Sequence, residues 1–423
     1  MGNRYVRWTQ SFVVCVLGCG VMHAAFAQSA WQIDQILQRT YASHPLMQEK
    51  RANLSAAQAD RQGAKWQRFP TPSAEVTSTG HGTGSVRLDQ PLWAGGRIDG
   101  QIAASEAREL AAAAAVEEAA QELALKVVAA VVEADRQQSR QRFAEAGMKE
   151  HEKLYAMIER RVAQEVSSTA DQRLAASRLF SSRNDVSVMA QARQNALLQL
   201  NQLAGESVQS VGPVDAFTQQ PPVDAQLLVS DALANSPTLN RLRHEEAAAE
   251  ADVAVKRSAW WPQVSFRLQH ARANQITDNS GMLVLQAQPG AGWSTSASVD
   301  MAWARRDAIR ESRMAAERSL RERVMQQWND WVAAGSRLSN AEASMAMSSD
   351  VAQSYARQYT AGRKSWIDVL NAVREATQSE LAVMDVKAQI SSAVLSLQVL
   401  TGQWRLARLL DASGMQTGGM PQP

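Results

Sequence analysis

The sequence predicts an α+β membrane protein in which long, coiled-coil-like α-helices dominate and each chain adds four β-strands. Three observations carry this reading: an internal duplication, helix-forming stretches too long for a compact domain, and short segments of period-two alternation between them. His44-Pro45 is echoed by Ser236-Pro237, and the spacing of 192 holds to Phe69-Pro70 and Trp261-Pro262. Between those marks Ala56-Ala57-Gln58-Ala59-Asp60 matches Ala248-Ala249-Glu250-Ala251-Asp252. Leu200-Asn201-Gln202-Leu203-Ala204-Gly205 is echoed by Leu397-Gln398-Val399-Leu400-Thr401-Gly402 at a spacing of 197. A repeat of this length exceeds any solenoid unit and reads as a duplicated half folded as one pseudo-symmetric body.

Residues 1–27 are expected to be an export signal. Arg4 and Arg7 form a basic start, an apolar run begins at Phe12, and Ala25-Phe26-Ala27 offers a small-x-small cleavage site. A lipoprotein signal ending at Cys19 is the alternative; Leu17 and the apolar stretch beyond Cys19 speak against it. Cleavage after Ala27 removes Cys15 and Cys19, leaving no thiol and therefore no disulfide or thiolate chemistry. It also removes two basic residues and no acidic one, so the formal charge of +2 falls to zero. Such a balance gives no electrostatic attraction to nucleic acid.

The first repeat spans 28–205, with a helix, strands near 72–79 and 85–92, and helices near 98–163 and 168–204. The second spans 224–410, with a helix, strands near 263–272 and 293–303, and helices near 304–360 and 365–402. A linker, 206–223, carries Gly212-Pro213 and Pro221-Pro222, and 411–423 lacks apolar period and reads as a disordered tail. The helical stretches are rich in Ala, Glu, Gln, Arg and Leu, and Leu123, Val127, Val131 and Ala134 form a stripe at three- and four-residue steps. At 1.5 Å per residue, 98–163 would extend about 100 Å. Helices alone would also suit a soluble bundle or rod.

The intervening segments argue otherwise. Val264, Phe266 and Leu268 alternate with Gln263, Ser265, Arg267 and Gln269; Trp293, Thr295, Ala297, Val299, Met301 and Trp303 alternate with Ser294, Ser296, Ser298 and Asp300. Ala74 and Val76, then Val86 and Leu88, do the same in the first half. His81-Gly82-Thr83-Gly84 and Asp278–Gly281 read as the connecting turns. Strands with one lipid-compatible and one polar face suit a transmembrane barrel, and Trp66, Phe69, Trp93, Trp260, Trp261 and Trp303 suit an aromatic girdle at one membrane interface. Four strands cannot close a barrel, and an open edge is forbidden in lipid. Chains must therefore pool strands, two giving eight and three giving twelve.

Enzyme chemistry finds no support. The five histidines beyond the signal have no metal-ligand spacing, no Gly-x-Ser-x-Gly elbow accompanies His81-Gly82-Thr83-Gly84, and no phosphate-binding Gly-Lys-Ser/Thr loop is present. No catalytic residue, metal or cofactor is expected.

Two stretches carry a family resemblance. Leu88-Asp89-Gln90-Pro91-Leu92-Trp93-Ala94-Gly95-Gly96-Arg97 is similar to the strand-to-helix junction of TolC-like outer membrane efflux and secretion proteins. Tyr359-Thr360-Ala361-Gly362-Arg363-Lys364-Ser365-Trp366-Ile367-Asp368-Val369-Leu370-Asn371-Ala372 resembles their helix-to-helix turn at the periplasmic tip. The resemblance covers roughly 30–403 and implies a homotrimer, a shared 12-strand barrel continued by a periplasmic helical tunnel, and no catalysed reaction. It also implies partners: outer membrane lipid, a periplasmic adaptor, and an inner-membrane ABC or proton-driven transporter. By the same resemblance Asp171, Tyr359 and Lys364 would link the two tip turns as a gate. Asp368, with Asn371 in place of a second acidic residue, would ring the entrance. Glu165, Val166 and Ser167 of the first turn, and Gly362 and Arg363 of the second, would meet the adaptor. The first turn lacks the family's glycine, which implies unequal docking grooves. Val166–Asp171 and Trp66–Pro70 are closer to members serving type I protein or adhesin secretion than to drug or metal efflux ducts. The rival of another class, a periplasmic adaptor, would need a lipoyl-like domain and no duplication.

Overall fold

The structure is a computed structural model that describes residues 32–77, 83–219, 224–273, 276–288 and 290–403. The expected signal, the tail 411–423, residues 220–223 of the linker and His81-Gly82 lie outside the described residues.

The first repeat runs α1 (Ile33–Ser43), α2 (Pro45–Trp66), β1 (Thr71–Thr77), β2 (Thr83–Trp93), α3 (Arg97–Ala163) and α4 (Thr169–Ala204). The second runs α5 (Ala225–Asn235), α6 (Pro237–Arg257), β3 (Gln263–Ala273), β4 (Ile276–Gln286), α7 (Thr295–Thr360) and α8 (Trp366–Leu400). The echoed prolines, Pro45 and Pro237, open α2 and α6, where a missing N–H leaves no bond unmade. His44 Nδ1 accepts from the Leu46 amide at 3.2 Å and Ser236 Oγ from the Leu239 amide at 3.3 Å, so each echoed pair is a cap followed by a helix start. With 67 residues, α3 is about 100 Å long.

The fourth strand corrects the sequence expectation. Residues 293–303 are not a strand: a short 3-10 turn over Ala291–Trp293 leads into α7 from Thr295. Trp303 therefore lies on α7, under the Arg306 guanidinium at 4.5 Å, and not at a strand end. The strand is Ile276–Gln286, so Asp278–Gly281, expected to be a turn, is strand interior. Asn279-Ser280-Gly281 has low strand preference, yet eleven residues of β4 pair in continuous register with β3, from Gln263↔Gln286 to Ala273↔Ile276. Ladder pairing outweighs local preference here, while Ser- and Ala-rich alternation in 294–303 fits a helix surface equally well.

The sheet is antiparallel in the order β1-β2-β3-β4, with the halves joined through β2 and β3. Three apolar clusters lie along the helices. Ala64, Ala94, Ile98 and Ile102 pack beneath the sheet. The largest cluster, mid-length, joins Leu123, Val127 and Val131 of α3 to Leu200, Trp331, Val394 and Leu400, and to Val208 and Val211 of the linker. A third, at the far end, holds Leu154, Ile158, Tyr359, Trp366, Val369 and Leu370. The linker is bound rather than loose: the Val208 amide donates to Asn201 Oδ1 at 2.6 Å and the Val214 amide to Asp135 Oδ2 at 3.2 Å.

Candidate functional site

Two regions carry features beyond packing: the sheet at one end and the helix turns at the other.

Strand pairing assigns the sheet faces. Pro72, Ala74, Val86, Leu88, Val264, Phe266, Leu268, Leu283 and Leu285 share one face, because directly paired residues point the same way. That face is bare: Leu283 is 70 % and Leu285 71 % exposed. The opposite face is charged, with Arg267 Nε bonded to Asp89 Oδ1 at 2.6 Å and Arg87 to Glu75 Oε2 at 2.7 Å. A β-bulge between Pro91 and Trp93 skips Leu92 and brings Trp93 opposite Val264, on the apolar face. Trp93 meets Trp261 edge-on at 6.5 Å, Trp66 meets Phe69 at 5.2 Å, and Trp260 stacks on Trp293 at 5.8 Å. Of the expected aromatics, Trp66, Trp93, Trp260 and Trp261 gather where helices meet strands; Trp293, not Trp303, completes the group.

At the other end, the two turns repeat one another at the spacing of 197. The Val166 amide donates to the Arg161 carbonyl and the Arg363 amide to the Gln358 carbonyl, each at 2.9 Å. Inside them the Glu165 amide donates to Val162 at 2.9 Å and the Gly362 amide to Tyr359 at 3.0 Å. Both are the two-bond helix ending whose penultimate residue is left-handed. Gly362 takes that conformation, φ +73°, at no steric cost; Glu165 takes it at φ +59° with a side chain. The missing glycine thus changes the chemistry of the first turn and not its path. Glu165→Gly should raise stability by about 1 kcal/mol, seen as a higher Tm.

The following helices start identically. The Asp171 amide donates to Ser168 Oγ and the Ser168 amide to Asp171 Oδ2, both at 3.1 Å. Ser365 and Asp368 form the same reciprocal box at 3.3 Å. The Ser168 hydroxyl, its amide and the side-chain N–H of Trp366 hold the Asp171 carboxyl below its ordinary range. Hydrogen bonding from the Ser365 side chain, with Lys364 adding charge, does so for Asp368. Tyr359 is buried with its hydroxyl lacking a hydrogen-bond partner among the described residues, under the Arg161 guanidinium at 5.0 Å. Lys364 Nζ sits over the Tyr355 ring at 4.3 Å and 3.9 Å from Asp368 Oδ2. Within one chain, then, Asp171 bonds Ser168, and Tyr359 and Lys364 take other partners. Val166 is 60 % exposed; Glu165, Gly362, Arg363 and Asn371 are exposed and Ser167 is half-buried. Sequence reasoning missed Trp366, Tyr355 and Arg161; the signal for them was the density of aromatic and basic residues around the second turn.

Between tip and middle, a cavity of about 130 Å³ is lined by Gly147, Met148, His151, Asp185, Arg374 and Thr377. Burial, with Arg178 nearby, pushes the His151 pKa below its ordinary 6.5, against the upward pull of Asp185 and Glu150. The groups around the ring are thus Glu150 on α3, Arg178 and Asp185 on α4, and Arg374 on α8. Because the unfolded chain binds the proton more readily, stability contributed by neutral His151 is present above about pH 6.5 and declines as pH falls below it. His151→Gln should flatten the fall in Tm between pH 7 and pH 5. Among the described residues no group of three or more His, Cys, Asp or Glu side chains is placed to hold a metal, and no helix is long and apolar enough to cross a membrane.

A four-stranded sheet with one bare apolar face, set on helices of about 100 Å, defines a chain of the outer membrane channel class. The profile of the outer membrane efflux protein family matches residues 36–206 and 228–403, once in each repeat, and the chain belongs to that family. It is a protein of the outer membrane that extends into the periplasm. No curated protein sequence matches it. Among solved structures it is similar to the outer-membrane channel OprN, at 20% identity over 88% of this chain and 89% of that one, with a TM-score of 0.77. The outer membrane protein VceC of Vibrio cholerae matches at 15% identity over 88% and 96%, TM-score 0.76. The open-state MtrE outer membrane channel of Neisseria gonorrhoeae matches at 15% identity over 88% of each chain, TM-score 0.75. At these identities the likeness bears on fold alone.

Proposed function

We propose that three copies of this chain form an outer membrane channel-tunnel through which an inner-membrane transporter and a periplasmic adaptor export their substrate. The observation that carries this is the sheet: an exposed apolar face backed by a charged one, with β1 and β4 at its two ends. In lipid those edges must be paired, and four strands from each of three chains close a 12-strand barrel whose charged face lines the pore. The helices continue the pore into the periplasm, and no bond is made or broken in the substrate. Val166, Arg363 and their neighbours on the two tip turns are the surfaces for the adaptor. The tip turns are also the gate: Asp171, Tyr359, Lys364, Asp368 and Asn371 surround its closure. The finer cargo reading, a protein or adhesin exported in one step, is supported by Val166–Asp171 and Trp66–Pro70 only. Deleting the gene decides between cargoes: loss of a secreted polypeptide supports protein export, and drug or metal hypersensitivity with unchanged secretion supports small-molecule efflux. The duct itself is tested by single-channel conductance of the purified protein in a planar bilayer; absence of any insertion would overturn it.

A further inference from the structure

We infer that the apolar face of the sheet holds one phosphate-bearing acyl lipid per chain, at the strand ends remote from the helices. The inference rests on the barrel reading above, which turns this face toward lipid and leaves neighbouring chains to join through the β1 and β4 edges.

The rows of the face change character in order. Nearest the helices, Trp93, Val264 and Leu285 align; next come Gln90, Phe266 and Leu283; then Pro72, Leu88, Leu268 and Gly281. A shallow hollow of about 410 Å³ lies on this face, lined by Val86, Leu88, Leu268, His270, Asn279 and Gly281; Leu268 and Phe266 lean over Gly281, where a Cβ would meet Leu268 Cδ2 at 3.3 Å. In the next row Ala74 and Val86 adjoin a polar pair, His270 Nδ1 meeting Asn279 Oδ1 in a close contact. The last row places Arg272 beside Thr277 and Gly84. Among the described residues nothing lies within 4 Å of where a Cβ on Gly84 would be, so they leave the space beside Arg272 open. The other strand arginines are committed to the charged face, Arg87 to Glu75 and Arg267 to Asp89; Arg272 is exposed on the apolar one.

Depth fits this order. Val264 to Arg272 is about 26 Å along a strand at roughly 3.3 Å per residue, and about 20 Å of depth at a barrel tilt near 40°. From the tryptophans below Val264 to Arg272, the face covers about the 25 Å height of a barrel's lipid-facing band, and Arg272 reaches the far headgroup level. The sequence of surfaces is then apolar hollow, hydrogen-bonding pair, cation, which complements acyl chain, ester and phosphate in that order. A neutral lipid would leave Arg272 without an anion, and a free phosphate would leave the hollow empty.

The test is native mass spectrometry of the detergent-purified full chain mixed with dioleoyl phosphatidic acid, beside uncharged dioleoyl glycerol. The expected result is retention of about one phosphatidic acid per chain and no dioleoyl glycerol, with Arg272→Gln reducing retention about five-fold. Gly281→Leu, which pushes Leu268 and Phe266 into the hollow, should reduce it similarly; if that variant fails to fold, Arg272→Gln alone decides. Equal retention by wild type and Arg272→Gln, or equal retention of the two lipids, overturns the inference. Conductance of the same wild-type sample judges the duct separately: a conducting protein without bound lipid discards this site and keeps the channel, and lipid retention without conductance does the reverse.

Discussion

Replacing Asp171 with Ala, Tyr359 with Phe and Lys364 with Ala together should raise single-channel conductance several-fold without lowering the stability of the assembled protein. The tip core explains why the effect is local. Tyr359, Trp366, Val369 and Leu370 pack with Leu154 and Ile158 in a cluster separate from the main core, so loosening it leaves the mid-length packing intact. The substituted groups are those that hold the turns: Asp171 closes the box with Ser168, Tyr359 lies under Arg161, and Lys364 lies over Tyr355. Trp366→Phe is a second probe, because it keeps an aromatic ring in the cluster and removes the polar indole N–H whose influence lowers the Asp171 pKa. Its conductance should lie between wild type and the triple variant. Openings unchanged in both would keep the duct and remove these residues from its gate.

Leu200→Ala should destabilise the protein by about 2–5 kcal/mol, the usual range for truncating a fully buried leucine. Leu200 is 0 % exposed and sits in the cluster where both repeats meet, with Leu123 of α3, Val394 and Leu400 of α8, and Val208 of the linker. Rigid helices and an anchored linker surround the site, so little can collapse into the cavity. A denaturant midpoint shifted at unchanged m would show the loss, and the tip conductance should not change. A loss below about 1 kcal/mol would mean that the two repeats are not joined through this core.

Much of the fold was legible because the long helices and three of the strands satisfy their local rules. α3 was expected at 98–163 and spans Arg97–Ala163; β3 was expected at 263–272 and spans Gln263–Ala273. The fourth strand was not legible, because its middle, Asn279-Ser280-Gly281, has turn chemistry and only its pairing with β3 holds it extended. Trp303 was misplaced with it. At the tip, the duplicated Ser-x-x-Asp boxes could be read from residues, whereas the partners of Tyr359 and Lys364 could not. A ring or ammonium group chooses its neighbour from whatever the opposite helix presents, and that depends on rotation of the helices about their axes.

By itself, then, the amino-acid sequence determined the quantities that repeat along one chain: the duplication, the lengths of the helices, the caps that begin them and the alternation of β1–β3. Each follows from interactions among residues a few positions apart, whose energies do not depend on the rest of the molecule. The tertiary structure alone decided β4, the bulge that turns Trp93 onto the apolar face, the seating of Tyr359 under Arg161 and the hollow lined by Leu88, Leu268 and Asn279. These join residues far apart in the chain or depend on register, and register is chosen by the summed pairing of whole strands and helices.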